Sequence, residues 1–87
     1  MSPSLEDLVG QVWFQKAGTP TYVGAEMLLD RDIYKIILKI ENEIVYGKSI
    51  SNIEQTWMFP LSSMSPDTIT NYANYIGNKE THPEYFL

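Results

Sequence analysis

Ile33-Tyr34-Lys35-Ile36-Ile37-Leu38-Lys39-Ile40-Glu41-Asn42-Glu43-Ile44-Val45-Tyr46-Gly47-Lys48-Ser49-Ile50 is the stretch on which the reading of the whole chain turns. Two runs rich in β-branched and aromatic residues flank a short polar break, and in both the even positions are mostly large and apolar. A period of two marks a strand with one buried face, so the segment reads as a central hairpin. Keeping Tyr34, Ile36, Leu38 and Ile40 on the same side as Ile44, Tyr46 and Ile50 requires an odd loop. Glu41-Asn42-Glu43 is the simplest, with Asn42 best suited to a left-handed conformation. Lys35 then faces Ser49 and Ile37 faces Gly47, while Lys48 falls near the edge of the apolar side, its head reaching water. A helix over residues 25–41 is the competing reading, because Leu29, Ile33, Ile36, Ile37 and Ile40 also recur at helical spacing. Isoleucine density and the lack of an N-cap favour strand.

On the N-terminal side, Tyr22 to Leu29 reads as the strand that pairs with this hairpin through a turn at Asp30-Arg31. Met27 would then face Tyr34, Ala25 would face Ile36 and Val23 would face Leu38. The other side sets Glu26 opposite Lys35, a favourable cross-strand charge pair, and Gly24 beside Ile37. Gln11 to Gln15 reads as a first strand ended by Lys16-Ala17-Gly18-Thr19-Pro20. Ser4 and Asp7 have a capping pattern before Leu5, Leu8 and Val9, with Gly10 as a stop, which predicts one or two helical turns.

On the C-terminal side, Ser51-Asn52 makes a turn, and Glu54 to Phe59 reads as a strand ending at Pro60. Ser65-Pro66-Asp67 has the residues of a helix start: a serine cap, a proline at the first position and an acid in the first turn. Ile69, Tyr72, Ala73 and Ile76 then form one apolar stripe that Gly77 would close, predicting a helix laid across the sheet. The expected architecture is α+β, with about five short, mainly antiparallel strands in a curled meander or small SH3-like barrel. A short N-terminal helix and a C-terminal helix packed on the sheet complete it. Residues 1–87 are read as one domain, with a core of about 5–77. The tail 78–87 ends in Tyr85-Phe86-Leu87 and either folds back or offers an apolar terminus.

Composition narrows the function classes. Eighty-seven residues with 44% hydrophobic and 13% aromatic content suit a small folded domain rather than a disordered one. There is no cysteine, which excludes disulfides and thiolate metal sites. A net charge of −5 works against binding a phosphate backbone, so no direct nucleic-acid partner is expected. No apolar run approaches the roughly 20 residues of a membrane helix, and a cytoplasmic, membrane-free protein is expected.

No phosphate loop, nucleophile elbow or zinc spacing is present, so no catalytic, cofactor or metal residues are assigned. His82 lies beside Pro83 near the end of the chain, where a solvated imidazole is the expectation. The acid pairs Asp30/Asp32 and Glu41/Glu43 fall in expected turns, which explains them without a metal. What remains is a surface. Ile37 flanked by Gly24 and Gly47 leaves room on both sides, with Tyr22, Lys35, Lys39, Val45 and Ser49 around it. Such a patch is either curled over by the protein's own helix or tail, or it docks a partner. Trp57, Tyr85 and Phe86 are further candidate contacts. The expected function is a small non-catalytic protein-binding module, an inhibitor, immunity or accessory protein, acting through this interface. Its partner would be another protein, a basic one being favoured by the carboxylates, or a second copy in a homodimer. The alternative is a small-molecule or nucleotide-binding module that stacks its ligand on aromatic rings, with a dimer interface as one setting.

Overall fold

The computed structural model describes residues 4–22 and 24–86. Five antiparallel strands form one sheet: β1 (Gln11–Gln15), β2 (Ile33–Glu41), β3 (Ile44–Ile50), β4 (Glu54–Pro60) and β5 (Ala73–Asn78), in the order β4-β3-β2-β1-β5. The first four strands make a meander. β5 then pairs with β1 at the far edge, so the connector between β4 and β5 crosses the whole sheet. Helical content is small: α1 (Asp67–Thr70) and 3₁₀ turns at Leu5–Leu8, Leu61–Ser63 and Pro83–Phe86. The fold is mostly sheet, a meander of β1 to β4 with β5 returned beside β1, and the helices are reduced to single turns. Among the described residues no helix is long and apolar enough to cross a membrane.

The central hairpin forms in the expected register near its base, with Lys35 opposite Ser49 and Ile37 opposite Gly47. Its odd residue sits elsewhere. The loop is the two-residue Asn42-Glu43, with φ of 52° and 63°, matching the left-handed pair of positions that a tight hairpin turn requires. A bulge at Leu38, between Ile37 and Lys39, absorbs the extra residue. The bulge turns Lys39 to the side opposite Lys35, where it faces Tyr46, and brings Ile40 to the side of Ile37, where it faces Val45.

Two expected elements are corrected. Tyr22 to Leu29 does not pair with β2, because β1 takes that edge, with Val12 opposite Ile36 and Trp13 opposite Lys35. Residues between β1 and β2 instead fold on themselves: Gly18 N–H donates to Leu29 O, Leu29 N–H to Thr19 O and Thr21 N–H to Met27 O. The expected Val23–Leu38 pair lies outside the described residues. The second correction concerns the C-terminal helix. Only one turn forms, Asp67–Thr70, with Pro66 rather than Ser65 at the cap position and Asp67 N–H donating to Ser65 Oγ, and the chain then extends into β5. Thr68, Thr70, Asn71 and Asn74 are poor helix formers, and a single turn has little stability of its own. Pairing with β1 satisfies a full row of backbone groups on both strands.

Both faces of the sheet are covered. On the first, Ile37 and Val45 pack with Leu5 and Leu8 from the N-terminal turn and with Ile69 and Ala73, flanked by Trp13, Ile40, Trp57, Leu61 and Met64. Ile37 is only 1% exposed: of the two readings of this face, cover by the protein's own chain or docking of a partner, the structure has the first at Ile37, with short turns rather than a long helix or the tail as the cover. Burying each of these aliphatic side chains contributes about 1.5–3 kcal/mol. On the second face Val12 and Ile36 are fully buried, and Phe14, Tyr34 and Tyr85 stack in succession with centroid separations of 5.1 and 5.6 Å. Trp13 and Phe14 thus serve opposite faces, as adjacent strand residues must. Lys48 is buried on the second face rather than at its edge, with Nζ 2.7 Å from Glu54 Oε1.

Candidate functional site

A cleft of about 410 Å³ opens on the first face, between the crossing connector and the segment that joins β1 to β2. Its floor is sheet: Lys35 of β2, Ser49 of β3, and Trp57 and Phe59 of β4. One wall is formed by Met64, Ser65, Thr68 and Ile69, and Thr21 and Tyr22 stand at the opposite side.

Each wall is held by identifiable contacts. Trp57 lies across Gly47, where a Cβ would collide with the indole ring and with Ile36 O, so only glycine admits the ring at this position. Its Nε1 donates to Ser49 Oγ at 3.0 Å, and Phe59 packs beside it with ring centroids 5.4 Å apart. Thr21 and Tyr22 are positioned from the core by Gln15. This side chain is fully buried, and its Nε2 donates to Thr19 Oγ1 at 2.9 Å and to Pro20 O at 2.7 Å. Asp32 braces the same segment by accepting Ala17 N–H at 2.9 Å.

Lys35 sets the electrostatics. Its cross-strand neighbours are Trp13 and Ser49, whereas Glu26, the acid expected opposite it, is exposed in the β1–β2 segment. Among the described residues Lys35 has no ion-pair or side-chain hydrogen-bond partner. Burial pulls its ammonium below the usual lysine range. Lys39 is the opposite case: fully exposed, it donates to Glu41 Oε2 at 2.9 Å over the Tyr46 ring. That hydrogen bond, before any other cause, raises its ammonium above the usual range.

The ten residues expected at the surface therefore separate. Tyr22, Lys35 and Trp57 come together in the cleft. Gly24 lies close by in the same segment as Tyr22, exposed and with a φ of 85°. Ile37, Val45 and Gly47 are interior beneath the cleft. Lys39 is on the second face, and the turn bearing Tyr85 and Phe86 folds back onto that face. His82 is not a free solvated imidazole, since it stacks on Tyr85 at 5.9 Å and covers Gly77. The hydroxyl-bearing wall, Ser63, Ser65 and Thr68, was not legible as a site. Ser65 reads in the sequence as a helix cap, and only the return of β5 to β1 carries it over Lys35.

Chemically the cleft offers one ammonium, several hydroxyls and three aromatic rings, those of Tyr22, Trp57 and Phe59, with neither imidazole nor carboxylate among the described residues that line it. Such a set holds a ligand group by charge and apolar contact. Comparison with protein-family models, curated proteins and solved structures returned no match for this chain.

Proposed function

We propose that the protein is a small non-catalytic protein-binding module, serving as an inhibitor, immunity or accessory factor in the cytoplasm, and that its partner seats a side chain in this cleft. One observation carries the reading: the aromatic lining of the cleft is open to solvent. Tyr22 is 59% exposed and Phe59 49% exposed, and Met27, whose backbone carbonyl accepts Thr21 N–H, is 73% exposed. A pocket rimmed by exposed aromatic side chains is how protein interfaces anchor a residue.

The test is selection of displayed peptides on the folded protein, with a Phe59→Glu variant as counter-selection. Peptides that discriminate between the two and shift the Trp57 indole resonance support the reading. Peptides that footprint only on the second face would overturn it. The second reading, a small-molecule site with Trp57 as stacking platform, is favoured by the cleft volume, which falls within the usual range for such pockets. It predicts that a metabolite panel, and no peptide, raises the melting temperature. Light scattering on the eluting protein separates the homodimer from binding to a different chain.

A further inference from the structure

We propose that the cleft selects for an acidic side chain flanked by an aromatic or aliphatic one on the partner protein, the carboxylate pairing with Lys35 and the apolar neighbour lying on Trp57 and Phe59. This rests on the protein-binding reading and specifies what the cleft takes.

Among the described residues Lys35 is the only charged side chain lining the cleft, and Tyr22 the only other ionisable one. No acid from β1, β3, β4, α1 or the β1–β2 segment lines it with them. The strand exchange that put Trp13 opposite Lys35 removed the partner the sequence offered. Lys48, the other lysine drawn in from solvent, has its Glu54, and Lys16 and Lys79 are exposed, so among the described residues a partly buried ammonium without an acid is particular to the cleft. Nor is Lys35 sealed away: among the described residues Gln15 Oε1 alone is both closed to solvent and unpaired. A carboxylate arriving there meets an ammonium already stripped of part of its hydration, and charge-assisted hydrogen bonds in such surroundings are the strong ones. Thr68 and Ser65 hydroxyls lie in the adjoining wall to donate to its second oxygen. The aromatic floor then favours an apolar group beside the acid.

Occupancy is also coupled to protons. Burial weakens the hold of Lys35 on its proton in the free protein, and a bound carboxylate restores it. Binding therefore weakens as pH rises from neutrality into the alkaline range.

The experiment compares two acetylated, amidated peptides, Gly-Ser-Phe-Glu-Ser-Gly and its Gln twin, with 3-phenylpropionate as the free-acid arm. Each is titrated into the full chain at pH 7 and pH 9.5, with the Trp57 indole and Lys35 side-chain resonances followed. The Glu peptide should bind about tenfold more tightly than the Gln peptide at pH 7. That preference should shrink at pH 9.5 and vanish in Lys35→Met. If the two peptides bind alike, the charge selection is wrong while the protein-binding reading stands. If only 3-phenylpropionate binds, or no probe reaches the cleft, the proposal falls and the protein-binding reading falls with it. The pair is compared on the wild-type protein, so the result survives even if Lys35→Met folds poorly.

Discussion

Lys35 and Gln15 are the two residues whose surroundings make the sharpest demands. A half-buried lysine with a lowered folded-state pKa binds fewer protons than the unfolded chain between that value and the ordinary lysine value, so its effect on stability becomes more favourable as pH climbs through that window. Lys35→Met, of similar length and without charge, is expected to stabilise the protein at pH 7 by on the order of 1 kcal/mol. Denaturant midpoints measured from pH 7 to pH 10.5 should show the variant's advantage shrinking with pH, and a constant gap would refute the account. Gln15 presents the inverse case. Its Nε2 serves two acceptors, and its Oε1 has no partner among the described residues. Gln15→Glu, nearly isosteric, turns those donors into a charge facing Pro20 O, and a loss of about 2 kcal/mol or more is expected at pH 7. Burial raises the pKa of the new carboxyl, and its protonated form can donate to Pro20 O, so the deficit should narrow as pH falls. A thermal melt series from pH 7 to pH 4 checks the direction.

At the scale of elements, two glycines mark where one piece of chain lies hard against another. A methyl at Gly47 drives Trp57 off β3 and breaks its bond to Ser49. Gly47→Ala should therefore destabilise by about 1–3 kcal/mol and shift Trp57 fluorescence toward that of a solvated indole; an unchanged emission spectrum would contradict the packing described. Gly77→Ala acts on the other face, where the added methyl would collide with the His82 ring and Thr81 Oγ1. It should lift the Pro83–Phe86 turn, so that the ring-current shifts of Tyr34 from Tyr85 disappear while β2–β3 amides stay protected from exchange. The sequence showed the central hairpin, β1 and β4 because their period and turn residues agree with the strands they form, but it set Tyr22 to Leu29 at the edge of β2 that β1 takes. It hid β5, because Ile69, Tyr72, Ala73 and Ile76 obey a helical spacing that the pairing of Ala73–Asn78 with β1 overrides. It also misplaced Lys39, because a bulge at Leu38 and a longer loop satisfy the same parity and only the bulge changes a face. The cleft was out of reach for a related reason: its acid-free character depends on Trp13 rather than Glu26 lying opposite Lys35, and nothing local to either residue states that choice.

For the molecule as a whole, the decisive feature is that β5 closes the sheet beside β1. The connector that makes this return also roofs the core and forms one wall of the cleft. Stability of the sheet and presence of the binding surface are thus one property, and a variant that detaches α1 should lose both together. The same topology has a consequence during synthesis. As the ribosome extends the chain, the strands β1 to β4 emerge early, yet Ile37 and Val45 lack the cover of Leu61, Met64, Ile69 and Ala73 until the residues through Asn78 have cleared the exit tunnel. Until then the nascent polypeptide carries a bare strand edge and an open apolar face among its neighbours on the polysome, and it is in that interval that it has most need of a chaperone.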